Sequence, residues 1–189
     1  MFKELIVKIG KALDKRQIPY MIIGGQAVLL YGTPRLTKDI DITLGVNTDR
    51  LSDVIGIARA LKLTVLPDDY ESFVSKTMVL PLKDKVTDIR VDLIFSLTPY
   101  EQQAIRRARK IKINRAVIKF SAPEDVIIHK IFAGRPRDIE DVESIVLKNK
   151  GLKIGYIRQW LKSFEQSSES GREFLSVLID IIKRARLVK

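Results

Sequence analysis

The chain has no cysteine and only one histidine, His129, in 189 residues. The first absence excludes a disulfide scaffold, a thiolate metal site and a cysteine nucleophile. The second excludes a zinc site built on several imidazoles. Long apolar runs are missing too. The longest stretch, residues 20–31, is broken by Gly24, Gly25 and Gln26, so nothing is expected to span a bilayer. The N-terminal segment mixes acid and base into its apolar pattern and carries no small-residue cleavage site, which predicts a cytoplasmic protein. Acid is absent from residues 102–123, which hold Arg106, Arg107, Arg109, Lys110, Lys112, Arg115 and Lys119.

What is present is globular. Hydrophobic residues make up 46% and charged residues 30% of the chain. Net charge is +11, and most of it falls late. Residues 1–100 hold 14 basic and 12 acidic side chains, whereas residues 101–189 hold 20 and 11. Such a field favours polyanionic partners through phosphate neutralisation, and it equally suits a solvated basic face.

Periodicity predicts helices over 2–16, about 26–31, 48–62, 137–149 and 154–165. Short strands are expected at 20–23, 39–44 and 63–66, a hairpin at 76–82 and 88–95, and a second at 110–113 and 116–120. Residues 69–75 read as a helical turn. Capping boxes at Thr98/Glu101, Ser121/Glu124 and Ser170/Glu173 start helices near 99, 122 and 171. The expectation is an α/β (α+β) fold, with a sheet-bearing core over 1–120 and a helical part over 121–189 packed on it.

Asp39 and Asp41 stand two apart in DIDITL, so alternation sends both to one face and Ile40 and Ile42 to the other. At ~4 Å and an effective dielectric near 20 their repulsion is about 4 kcal/mol. A shared proton, a basic neighbour or a divalent cation would each offset it. Asp92, between Val91 and Leu93, faces the less apolar side of a second strand. If that strand pairs beside the first in register, three carboxylates meet, a donor set that suits two metals and in-line displacement at phosphorus. The Gly-Gly turn upstream lets backbone N–H groups approach phosphate. On its own, a DxD pair on a strand reads as a solvated edge.

Residues 22–44, IIGGQAVLLYGTPRLTKDIDITL, with IRVDLIF further on, resemble the nucleotidyltransferase superfamily related to DNA polymerase beta. Thirteen residues separate Gly25 from Asp39. Residues 121–142, SAPEDVIIHKIFAGRPRDIEDV, are similar to the C-terminal signature of AbiEii-type nucleotidyltransferases, known mainly as toxins of toxin–antitoxin pairs. Lys130, Arg137, Asp138 and Asp141 carry that match. Gly25 stands where many members have a phosphate-binding Ser, so only its backbone can serve.

The resemblance implies a mixed sheet flanked by helices and a transfer of NMP from an NTP to an acceptor hydroxyl. It implies Mg²⁺, or Mn²⁺ in its place, on Asp39, Asp41 and Asp92. Gly24 and Gly25 would hold phosphates, and Lys130 would reach the triphosphate. Asp138 would face the nucleotide, and a tRNA or other RNA acceptor and an antitoxin partner would follow. Arg35, Thr37 and Lys38 would line the entrance, where Pro34 equally supports a rigid turn. The competing reading is a non-catalytic RNA- or partner-binding protein on the same fold. Adenylylation of a small antibiotic-like acceptor and two-metal phosphodiester hydrolysis also remain open. His129 reads as a packing or surface residue and Tyr156, Trp160 and Phe164 as helix core, while the four-residue spacing of Arg137 and Asp141 would equally allow a plain surface ion pair.

Overall fold

The computed structural model describes residues 1–167 and 171–187. Seven strands form one mixed sheet: β1 Tyr20–Ile22, β2 Asp39–Leu44, β3 Thr64–Val65, β4 Val79–Asp84, β5 Ile89–Phe95, β6 Arg109–Ile113 and β7 Ala116–Phe120. Their order across the sheet is β3-β4-β5-β2-β1-β7-β6. Two pairings are parallel, β2 with β5 and β1 with β7, and the others are antiparallel.

The described helices are α1 Phe2–Lys15, α2 Gly24–Tyr31, α3 Leu51–Ala60, α4 Tyr70–Thr77, α5 Pro99–Arg107, α6 Pro123–Ala133, α7 Pro136–Lys148, α8 Ile154–Ser167 and α9 Phe174–Leu187. Among the described residues no helix is long and apolar enough to cross a membrane. The mixed α/β architecture is the expected one.

The chain resolves into two compact units. The first comprises 1–26 and 36–121, the second 27–35 and 122–189. The chain therefore passes from one to the other inside α2. In the first unit, β5 buries Ile89, Val91, Leu93 and Phe95 and leaves Arg90 and Asp92 on the opposite face. Likewise β2 buries Ile40, Ile42 and Leu44. This alternation supplies the apolar core and leaves a polar face on the same two strands. The second unit is helical. Its core is Ile127, Ile128, Val142, Ile145, Ile157, Leu161 and Leu178, flanked by an aromatic cluster of Phe132, Trp160, Phe164 and Phe174. Of the aromatics spaced along α8, Trp160 and Phe164 join this half-buried cluster, whereas Tyr156 turns its hydroxyl to Asp125.

Some local expectations fail for identifiable reasons. The helix expected from 48 begins as a 3-10 turn, Thr48–Arg50, without a side-chain cap from Asn47. The turn expected at 69–75 is a full helix, because the Asp69 carboxylate accepts from Ser72 N–H and caps it. Thr98 caps α5 as expected. At α6 the cap residue is Ala122, one position after Ser121, and the Glu124 carboxylate accepts from Lys153 N–H. The Ser170 box falls outside the described residues.

Helix α1 comes down on β7 at Gly10. A Cβ there would lie 2.7 Å from both the Ile118 Cδ1 and the Tyr20 hydroxyl. Gly10→Val is therefore expected to lower unfolding free energy by about 2 kcal/mol, since overpacking outweighs any gain in helix propensity. Denaturant titration with an unchanged m-value is the check.

Candidate active site

Two features place the acidic residues. Alternation along β2 puts Asp39 and Asp41 on one face, and the parallel register sets Asp39 opposite Arg90 and Asp41 opposite Asp92. Four charged side chains thus form a block, three acids and one base. The guanidinium Nε of Arg90 donates to both Asp92 oxygens, at 2.9 and 3.1 Å. This hydrogen bond raises the Arg90 pKa further, and the charges of Asp92, Asp39 and Asp41 add to the effect.

Helix α2 begins against this block. Gly24 has φ +62°, and a Cβ on it would run into the Asp41 carboxylate. Only glycine meets both demands at low cost. The next residue, Gly25, leaves space that the Thr37 hydroxyl fills. A side chain at position 25 and Thr37 in its present rotamer exclude each other. Gln26 Nε2 donates to the Asp39 carbonyl at 3.4 Å, and Lys38 N–H to the Asp39 carboxylate at 3.0 Å. The loop before β2 is thereby drawn onto the first turn of α2, whose leading N–H groups lack intrahelical acceptors.

The donor chemistry here, three carboxylates on adjacent register positions, fits a hard divalent cation. Among the described residues, no three acidic or imidazole side chains already surround a common point. Asp92 is turned to Arg90.

The second unit holds a separate ionic cluster. Lys130, 9% exposed, donates to Asp138 at 2.6 Å and approaches Asp141 at 3.1 Å. Arg35 grips both Asp141 oxygens at 2.8 Å, and Arg135 Nε reaches Asp138 at 2.6 Å. The Arg135 N–H also donates to Asp138, tying it to the start of α7. Burial by itself would raise both carboxyls. Hydrogen bonds from Arg135 and Lys130 hold Asp138 below its ordinary value, and those from Arg35 and Lys130 do the same for Asp141. The cationic ends of Lys130 and Arg35, both expected at a nucleotide, are engaged with Asp138 and Asp141 in this structure. The pairing of Arg137 with Asp141 is corrected: Arg137 pairs with Glu140 at 2.8 Å. Asp141 takes its partners from further along the chain, where spacing rules do not reach.

His129 is half-buried in α6 with Nδ1 shielded from solvent. Burial, and then the charge of Lys130, push its pKa down to about 4. It is neutral at pH 7, as befits a packing residue. Tyr156 donates its hydroxyl to Asp125 at 2.6 Å. Sequence reasoning missed Arg90 and Arg135. The signal for Arg90 was present: two residues from Asp92 on a strand, it shares that residue's face by the same alternation that pairs Asp39 with Asp41.

A family described as nucleotidyltransferase of unknown function (DUF6036) matches residues 1–174. No curated protein matches the chain. Among solved structures, the antibiotic-resistance factor ANT(2'')-Ia in solution is similar in fold. It has 20% identity over 87% of this chain and 91% of that one, with a TM-score of 0.59. A crystal structure of ANT(2'')-Ia in complex with adenylyl-2''-tobramycin matches at 21% identity, over 85% of this chain and 97% of that one, with a TM-score of 0.58. An antigenic nucleotidyltransferase-like protein from Paracoccidioides brasiliensis has 18% identity, over 96% and 91%, with a TM-score of 0.56. At these identities the likeness is one of fold.

The titrations set an acid profile for stability. His129 binds its proton less readily folded than unfolded, so stability is complete above about pH 6.5 and declines as pH falls towards about 4. Asp138 and Asp141 have depressed folded values. Their contribution is complete above the ordinary carboxylate range near 3.9 and disappears below it. Thermal melts from pH 7 to 3 should show both limbs. His129→Gln should flatten the first and leave the second.

Proposed function

Because the chain belongs to the nucleotidyltransferase family of unknown function (DUF6036), we propose that it is a Mg²⁺-dependent nucleotidyltransferase, moving NMP from an NTP onto the hydroxyl of an RNA acceptor. One observation carries the reading: Asp41 stands opposite Asp92 across parallel strands and packs on a glycine at the mouth of α2.

In this reading Asp39, Asp41 and Asp92 hold the metal. Bound there, Mg²⁺ supplies charge neutralisation and polarisation of the phosphoryl oxygens. The first N–H groups of α2, at Gly24 and Gly25, would donate to the β- and γ-phosphate oxygens, and the Thr37 hydroxyl lies beside Gly25 as a further donor. The acceptor oxygen forms a bond to the α-phosphorus while the bridge to the β-phosphate breaks. Asp92 takes the acceptor's proton, and pyrophosphate leaves. Positioning and electrostatics carry most of such a reaction. The nucleotide roles of Lys130, Arg35 and Asp138 require their buried network to open, since each is engaged by another side chain. A toxin role, with an antitoxin partner, rests on the resemblance of residues 121–142.

RNA as acceptor is supported by the end of α5 and the hairpin β6–β7 that follows it. Arg106, Arg109, Lys110, Lys112 and Arg115 form no ion pair among the described residues, whereas Lys119 pairs with Asp14. The register sets Lys110 opposite Lys119. Like charges facing across strands are unfavourable unless an anion relieves them.

Labelled NTP, Mg²⁺ and total RNA should give labelled RNA, and Asp41→Ala should cut the rate by about a thousandfold or more. RNA binding that persists without Mg²⁺ and ignores Asp39→Ala, with no label transfer, would favour the non-catalytic reading. Plotting log affinity against log salt should give a slope near about −4 for five phosphate contacts, and Lys110→Gln with Lys112→Gln should reduce it by about 2.

A further inference from the structure

We infer that Arg90 is the resident counter-cation of the carboxylate face, and that its grip on Asp92 and the binding of a divalent cation there exclude each other. The inference rests on the metal reading above. It makes Arg90 a positioning residue, acting on Asp92 and through it on the metal.

The geometry gives four steps. First, Arg90 and Asp92 share a face of β5, and Asp39 and Asp41 stand opposite them on β2. Arg90 is thus inside the acidic block, opposite Asp39. Second, its Nε engages both oxygens of Asp92 at 2.9 and 3.1 Å, so the pairing directs the whole carboxylate at the guanidinium. Third, the register gives the block three acids and one base, so the single charge of Arg90 does not by itself balance it. Fourth, the two side chains differ in freedom. Asp92 is 18% exposed and Arg90 is 54% exposed. The arginine can swing into solvent without disturbing the core, whereas the aspartate has little room to leave.

A dication drawn to the face meets a guanidinium of the same sign on one of its ligands. One must yield, and the exposed, singly charged group is the one able to. A displaced Arg90 would remain next to whatever anion accompanies the metal. Phosphate oxygens are the ligands a planar guanidinium binds best. Metal-free protein is thereby held together by Arg90, and loading with metal and triphosphate replaces one cation by another without ever leaving three bare carboxylates side by side.

The test uses Mn²⁺ alone, without nucleotide, as the probe. Free Mn²⁺ is read by electron paramagnetic resonance against the full chain, in the wild type, Arg90→Met, Arg90→Lys and Asp41→Asn. The expected result is Mn²⁺ binding tightened about fivefold or more in Arg90→Met, as loss of a competing cation requires. Arg90→Lys should lie between it and the wild type, and Asp41→Asn should bind more weakly than the wild type. Without metal, Arg90→Met should melt below the wild type, and Mn²⁺ should raise its melting temperature by the larger increment. Equal or weaker Mn²⁺ binding in Arg90→Met, with the wild type binding through Asp41, overturns the role of Arg90 and leaves the metal reading intact. If neither protein binds Mn²⁺ beyond the level of Asp41→Asn, the metal reading itself fails and Arg90 with it. Should Arg90→Met not fold, Arg90→Lys decides: affinity no tighter than the wild type's overturns the inference.

Discussion

Carboxylates fixed on neighbouring strands repel one another, and the parallel pairing of β2 with β5 fixes three of them. The apolar halves of the same strands impose this arrangement. Ile40 and Ile42 must face the core with Val91 and Leu93, so Asp39, Asp41 and Asp92 cannot turn away without reversing the register of a buried sheet. Hydrophobic burial holds the acids together against their charge. Every other feature of the face answers that constraint. Gly24 gives Asp41 somewhere to lie, and Arg90 gives Asp92 a partner.

The two ionic clusters answer similar problems differently. On the sheet face, Arg90 grips Asp92, and that arginine is more than half exposed. In the helical unit, three cations serve two acids that are almost wholly buried. A buried carboxylate left without its partner costs about 3–5 kcal/mol, so the second cluster behaves as a structural tie. It joins the segment before Leu36 to α6 and α7. The first cluster is held by an exposed cation, which is the condition in which one cation can give way to another.

Much of this was legible in the chain. The boundaries of β2 follow directly from DIDITL, and alternation put Asp39, Asp41 and Asp92 on polar faces. The pairing of β2 with β5 could only be stated as a condition, because period-two patterning fixes a face but not a neighbour. Contacts between distant positions were out of reach for the same reason. Arg35 meets Asp141 across 106 residues, whereas helical spacing had offered Arg137, which pairs with Glu140 instead. At Gly25 the sequence showed only a missing hydroxyl. Folding brings the Thr37 hydroxyl into the space the missing side chain leaves. Ser121 with Glu124 had the spacing of a capping box, but spacing did not show that the Glu124 carboxylate also accepts from Lys153 N–H, 29 residues on.

Away from the carboxylates, the basic hairpin β6–β7 bears two explanations. Strand β6 is the edge of the sheet, and lysines on an edge strand discourage pairing with other chains. That purpose needs only a charge or two, and mixed signs would serve it as well. Residues 102–123 instead carry seven basic side chains and no acid. They also place Lys110 across from Lys119, a pairing that edge protection does not require. Lys119 already has Asp14. Among the described residues Lys110 and Lys112 form no ion pair, which leaves their charge open to an anion from outside. A phosphate backbone offers such anions at regular spacing, which a compact small-molecule acceptor does not.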